Sequence, residues 1–565
     1  MFLFFGFITS KQYKTDEEIR VYGNKITPYN NPFESYQFYS IPFCQPNTSS
    51  KPIPTTFGDA FLGNKYVKTA VTIRFRNDQF DARQCKMNIT DENFAKFEHA
   101  IRNHYIFQIF VDKLPVWGQI GTTSKDNSTH LFTKWQFNIG YNGNRVTEAD
   151  VTPSVPVNIT RDRTNISFTY SVSWFETSVG KRDRYNKYVQ NSVGNSVHYA
   201  SLFNIIIIVI LIVGISVCIL LRALGKDISI YESNAVMNQY EMDFRIERGW
   251  KMIHADVFRK PPLESLIAAF VGFGSHMLIT GILFTLFNFL FGRLLGKSMK
   301  LNLLFISFAI SGFFSGYFSA GLYKRWGGNH WIFHLLMSTF IFPTVFAVNE
   351  TILSVFAAIY GSTQIYRVKS LIIIICNILF LVLPLTLAGG IVGRHWFIVG
   401  KTPTQVSLIR RKIPDQPFYL SLLFLMVVIG FIGSISIFVE LPYILTAFLQ
   451  YNFTYAWGFM FIVVILLFIV ISCCSIISTY LRLANENYEW QWPSFLAPFA
   501  TGVYCFFYCI YYMKKKTMMS GVIQILFFIS YSVDFSLAVG FVCGFVGFAS
   551  SAIFVRMMYT NLKID

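Results

Sequence analysis

The sequence predicts a membrane protein: an α-helical bundle of nine spans that carries an N-terminal, β-rich, sandwich-like lumenal domain. Three observations predict it. Charged residues make up 14% of the chain and hydrophobic residues 53%, whereas soluble domains carry about 25% charged residues. From residue 200 onward, apolar runs recur that approach or exceed the ~20 residues needed to span hydrocarbon. Ahead of them, residues 11–199 alternate polar and apolar positions and hold five N-x-Ser/Thr sequons.

The chain opens with MFLFFGFITS, residues 1–10, which has the apolar core of a signal segment without a preceding basic stretch. In residues 11–199, Val71, Ile73 and Phe75 alternate with polar neighbours, as do Trp135, Phe137, Ile139 and Tyr141, and Phe168, Tyr170, Val172 and Trp174. That period of two belongs to half-buried strands. Between Asp91 and Tyr105, Phe94, Phe97 and Ile101 fall three and four apart, on one helical face. Cys44 and Cys85 are the only cysteines before residue 200, and a lone pair in a lumenal domain is a disulfide candidate. Asn47, Asn88, Asn127, Asn158 and Asn165 are glycosylation candidates, and five sequons in one soluble half point to a compartment where glycans are added.

Residues 200–565 form the transmembrane domain, with spans predicted at 202–222, 263–291, 301–323, 332–359, 371–393, 420–447, 455–481, 494–513 and 520–554, and a cytosolic tail at 555–565. The last run is long enough for two passes. One long tilted helix is the preferred reading, because no polar turn divides it. With the N-terminus in the lumen, cytosolic connectors carry 17 Lys/Arg and lumenal connectors 8, as the positive-inside rule requires. A further sequon, Asn452, then lands in a lumenal connector. Lys514, Lys515 and Lys516 are the exception. Of the net charge of +17, a surplus of 11 falls from residue 200 onward, mostly in short connectors that face lipid headgroups, and no basic-aromatic stripe suggests nucleic acid.

Inside the apolar runs, Glu350, Glu440 and Asp534 are candidate polar groups, since intramembrane carboxyls usually face the bundle interior or water. They suit a proton relay or cargo patch, or simply a hydrogen-bonded structural role. Pro343, Pro384 and Pro442 are expected to kink their helices. Gly312 and Gly316, and again Gly540 and Gly544, have the spacing that lets helices approach closely, within the bundle or against cargo helices. No P-loop, HExxH, GxSxG or CxxC pair is present, so neither catalysis nor a cofactor is expected. His330 with His334, and Cys505 with Cys509, are four apart but lack the further ligands a metal needs.

Longer strings carry more. GWKMIHADVFRKPP (Gly249 to Pro262), GYFSAGLYKRWGGNHW (Gly316 to Trp331), IPDQPFYL, FVELPYI, ENYEWQWPSF and MSGVIQ follow in order, with NKITPYNNPFESYQFYSIPFC near the start, LPVWGQIG at Leu114 to Gly121, and NLKID at the end. Together they resemble the transmembrane nine superfamily, the nonaspanins or endomembrane protein 70 homologues, from about Val21 to Asp565. The resemblance implies nine helices, a lumenal N-terminal domain, residence in Golgi and endosomal membranes, and a role in membrane-protein sorting and surface delivery, with links to adhesion and phagocytosis. It implies no enzyme activity. Lys563 and Asp565 fit the family's C-terminal Lys-x-Asp/Glu signal, read by the COPI coat, while cargo helices and the bilayer are the other expected partners. Glu486-Asn487 departs from the family's acidic pair. Two rival readings remain: a transporter or channel that uses the intramembrane carboxylates, and a lumenal or surface adhesion receptor.

Overall fold

The computed structural model describes residues 11–29, 34–46, 55–190 (except 125, 127, 155 and 160–164), 199–236, 249–363, 368–397, 402–449, 457–517, 519 and 521–560. Up to residue 190 the chain is β-rich. One sheet orders the strands Tyr36–Gln37, Val21–Pro28, Tyr105–Val111 and Leu114–Gln119, with Val67–Lys68 also paired to Val21–Pro28. A second orders Arg145–Pro153, Lys134–Asn142, Asn165–Glu176 and Gln79–Asn88. In that sheet Lys134–Asn142 runs parallel to Asn165–Glu176, which pairs Trp135 with Tyr170 and Phe137 with Val172.

The alternation has its expected effect: Trp135, Phe137 and Ile139, and Phe168, Tyr170 and Val172, are all buried. The two sheets share one core, in which Phe107 of the first meets Trp135 of the second edge-on at 5.4 Å and Trp135 stacks on Phe168 at 5.8 Å. Val71, Ile73 and Phe75 are buried too, but only Ile73–Arg74 is a strand, paired with Glu18–Ile19. Burial pattern and ladder pairing are separable, because a short bridge fixes two residues while the core claims both sides of it. Cys44 and Cys85 form a disulfide with Cα atoms 5.9 Å apart. Closing so long a loop contributes about 3–4 kcal/mol in the chain-entropy account.

Helices α1 (Phe57–Phe61) and α2 (Asp91–Arg102) belong to this domain, as does the short helix Asn186–Gln190. α2 is capped by Thr90, whose hydroxyl accepts from Asn93 N, and it buries Phe97 and Ile101. The long helices follow: α3 (Tyr199–Val236), α4 (Glu264–Phe291), α5 (Lys297–Arg325), α6 (Trp331–Ile359), α7 (Val368–Asn377), α8 (Leu383–His395), α9 (Leu422–Ile437), α10 (Leu441–Leu449), α11 (Trp457–Ala484), α12 (Gln491–Lys516) and α13 (Val522–Thr560). Eight helical segments among the described residues are long and apolar enough to cross a membrane, with α9 as a shorter apolar helix. α7 runs into α8 through a π-helical turn, Ile378–Val382, directly before Pro384. Widening the backbone there absorbs the missing proline N–H.

The run expected as one span at 420–447 is divided. α9 ends at Ile437, residues 438–440 form a turn, and α10 restarts with Pro442 at its second position. Glu440 N donates to Ile437 O, and the Glu440 carbonyl accepts from Tyr443 N and Ile444 N. The proline, having no N–H, thus breaks the helix rather than bending it. The final run, by contrast, is one 39-residue helix, about 58 Å long at 1.5 Å per residue.

Close approach within the bundle is made by glycines. A Cβ at Gly316 would overlap the Thr386 carbonyl oxygen, and one at Gly389 or Gly393 would overlap the carbonyls of Phe313 or Tyr317, so α5 and α8 touch backbone to backbone. Gly312 lies on the same seam, against Val382 and Thr386. Gly540 and Gly544 accept the rings of Phe499 and Phe495 between α13 and α12. All four candidate packing glycines therefore seat helices of this chain. Lys514–Lys516 close the last turn of α12, where ammonium groups favour the negative end of the helix dipole.

Candidate functional site

Polar side chains cluster at three depths: where the sheet domain meets the bundle, within the bundle, and at the opposite face.

At the junction, the sheet domain grips three helix ends. Thr56 caps α1 by accepting from Asp59 N at 3.2 Å, and its hydroxyl lies 2.8 Å from Ser298 Oγ on α5. Gly58 N donates to Asn302 Oδ1 at 2.8 Å, and Phe57 meets Phe305 edge-on at 4.5 Å. Beyond α6, Thr363 N (2.8 Å) and Ser362 Oγ (3.0 Å) both donate to the Ser35 carbonyl. The buried carboxylate of Glu34 accepts from the hydroxyls of Tyr36 (2.8 Å) and Tyr105 (2.5 Å) and, at its other oxygen, from Gln524 Nε2 on α13 (2.5 Å). Lys25 donates to Leu62 O at 2.9 Å, and burial, aided by the nearby charge of Lys297, lowers its ammonium to about 8. The starts of α5 and α13 and the end of α6 thus lie on one side, with the sheet domain.

Within the bundle, Asn349 of α6 donates to Asp534 Oδ2 at 3.0 Å and accepts from Ser530 Oγ at 2.7 Å, which joins α6 to α13. Glu350 is half-buried one residue on, and Glu440 is 1% exposed at the break between α9 and α10. Among the described residues, Glu350, Glu440 and Asp534 do not form one group of three carboxyls. His334 is buried with Ser265 Oγ and Ser319 Oγ each 2.8 Å from its ring nitrogens and Tyr323 stacked at 4.3 Å, a packed core histidine. Among the described residues no group of three His, Cys, Asp or Glu could hold a metal ion.

The opposite face is the most elaborate. There the connector from Gly249 to Leu263, the stretch 402–421 and the turn between α11 and α12 interlock into one cap. Trp490 Nε1 donates to Val257 O (2.9 Å), Trp492 Nε1 to Pro262 O (2.8 Å) and Gln491 Nε2 to Arg259 O (3.2 Å). Arg259 pairs with Asp256 and also donates to Ser407 O. Arg411 bonds Glu486 (3.0 Å) and Met252 O (3.3 Å), while Glu486 in turn accepts from Gly249 N. Glu486 sits at φ +60°, a left-handed turn that aims its carboxylate back across the cap. Arg482 donates to Leu420 O, and Tyr559, at the end of α13, to Trp250 O at 2.6 Å. Most acceptors in the cap are main-chain carbonyls. Trp490 and Trp492 are its pins.

The remaining candidates divide simply. Asn88, Asn158 and Asn165 are exposed, with Asn88 directly opposite Asn165 in the ladder. Asn47, Asn127, Asn452, Lys563 and Asp565 lie outside the described residues, as does the signal-like segment 1–10. Sequence reasoning missed Glu34, Ser35, Thr363 and Asn349 as individual sites. For Glu34 and Gln524 the signal lay in the strings that contain them, NKITPYNNPFESYQFYS and MSGVIQ.

A family model described as Endomembrane protein 70 matches residues 35–522. Transmembrane 9 superfamily member 4 of Arabidopsis thaliana is 30% identical, covering 98% of this chain and 95% of its own. Transmembrane 9 superfamily member 1 of Bos taurus is also 30% identical, over 98% and 94%. Member 5 from Arabidopsis thaliana is 28% identical over 99% and 96%. No solved structure matches.

Proposed function

Because this chain belongs to the endomembrane protein 70 family, the transmembrane 9 superfamily, and is a multi-span membrane protein of that family, we propose that it sorts other membrane proteins between Golgi, endosomes and the cell surface. In this reading the sheet domain is lumenal, the cap is cytosolic, and α9 with α10 makes the ninth pass. It acts by binding rather than by chemistry: cargo helices are held in the bilayer and at the lumenal domain, and the COPI coat reads Lys563 and Asp565.

One observation carries the reading. α13 begins at the sheet domain, where Gln524 bonds Glu34, and ends in the cap, where Tyr559 bonds Trp250 O. α13 therefore ends, at Thr560, on the face opposite the sheet domain and its glycosylation candidates, the side on which this reading puts the coat. A lysine ammonium beside two carboxylates is a compact charge pattern for such a coat pocket.

The test is co-purification from membranes in mild detergent, comparing wild type with Lys563→Ser. Loss of coatomer with retention of membrane cargo supports the proposal, and unchanged coatomer sinks the signal. The pairing of Asn349 with Asp534 and the broken helix at Glu440 favour a second reading, transport, because interrupted helices and membrane carboxyls build ion sites. Solute flux in reconstituted vesicles, abolished by Glu440→Gln or Asp534→Asn, would replace sorting with transport.

A further inference from the structure

Arg325 ends α5 at the rim of the cap. Its Nε and Nη2 are buried and reach no acceptor among the described residues. Arg556, one turn before the end of α13, lies close enough for its charge to act on Arg325. Trp326, the next residue, packs edge-on against Phe548 of α13, so the two helix ends are true neighbours. The same rim carries Lys324, which donates to Arg394 O at 2.8 Å, and Arg394, whose guanidinium covers the Trp331 ring at 4.5 Å.

Three described carboxylates of this face, Asp256, Glu264 and Glu486, are engaged elsewhere. Asp256 pairs with Arg259, Glu264 with Lys260 at 3.2 Å, and Glu486 with Arg411 at 3.0 Å. A buried guanidinium with two donors unmet, beside a second guanidinium, calls for an anion. The planar N–H fork matches phosphate oxygens in geometry as well as charge. The site also sits at the ends of membrane helices, level with headgroups, on the face assigned above to the cytosol, where leaflets are rich in anionic lipid.

We propose that Arg325 and Arg556 form a phosphate site at the edge of the cap, filled by a lipid headgroup phosphate or by phosphate from solution. The site anchors the ends of α5 and α13 to each other through the bound anion.

The experiment uses the full chain, purified in mild detergent and supplied with phosphatidic acid, phosphatidylcholine or inorganic phosphate. Bound lipid is counted by native mass spectrometry and the thermal midpoint is followed in parallel. Wild type should retain phosphatidic acid over phosphatidylcholine and gain thermal stability from it. Arg325→Gln should retain about five-fold less or lower still, Arg556→Gln should also lose retention, and Arg325→Lys should fall between. Lys260→Gln, whose partner is Glu264, should behave as wild type. Stabilisation by inorganic phosphate that disappears in Arg325→Gln identifies solution phosphate as an occupant of the same site. Should Arg325→Gln not fold, Arg325→Lys and Arg556→Gln carry the comparison. Equal phosphatidic acid retention by wild type and the foldable arginine variants overturns the proposal.

Discussion

Replacing Glu34 with alanine leaves the hydroxyls of Tyr36 and Tyr105 and the amide of Gln524 without their shared acceptor. Buried donors left unmet cost roughly 1–3 kcal/mol, so Glu34→Ala should lower the thermal midpoint and speed proteolysis of the sheet domain. Gln524→Ala should do so less, because Glu34 then loses only one of those three donors. The double variant should be less destabilised than the two effects added, as expected for one network; strict additivity would separate the two residues. A neighbouring residue adds a pH dependence. Lys25 titrates near 8 in place and near 10.4 when unfolded, so folding releases a proton between those values. Stability therefore rises with pH across roughly 8 to 10, and Lys25→Met should flatten that part of a thermal-midpoint profile. None of these partnerships was legible as a pairing. Glu34 and Gln524 are 490 positions apart, and a polar contact between distant segments leaves no local period to read.

Periodicity, where it exists, was legible at the scale of elements. Trp135, Phe137 and Ile139 announced their strand because one face of it is buried, and α2 announced itself through Phe94, Phe97 and Ile101. Spans were legible by length, although the division at Glu440 was not: Pro442 signalled a disturbance, but only the surrounding packing decides between a bend and a break. The seam between α5 and α8 was half legible. Gly312 and Gly316 marked one side, while Gly389, Gly390 and Gly393 gave no hint that they were its mate. That seam makes a sharp prediction. Gly316→Leu should abolish a monodisperse, folded preparation, because the side chain would occupy the space of the Thr386 carbonyl. Gly281→Ala, in open space on α4, should leave size-exclusion behaviour and thermal midpoint within about 0.5 kcal/mol of wild type. Equal behaviour of the two variants would show that the helices do not need to approach so closely.

For the whole molecule the proposed function turns on sidedness, because a coat signal at Lys563 and Asp565 and glycans at Asn88 and Asn165 would have to occupy opposite compartments. In sealed microsomes, an epitope appended after Asp565 should be cut by added protease while a fragment containing Asn88 and Asn165 stays protected and shifts on deglycosylation. Protection of the epitope would reverse the orientation.

The cap has a consequence for how this protein tolerates change. Trp490, Trp492, Gln491, Arg482 and Tyr559 all donate to peptide carbonyls, and every residue type supplies the same carbonyl. The outward side chains between Gly249 and Leu263 can therefore be rewritten with little mechanical penalty, whereas adding or deleting one residue there would shift the register of several acceptors together. Such a surface can acquire a new partner by ordinary point mutation while its length is held fixed.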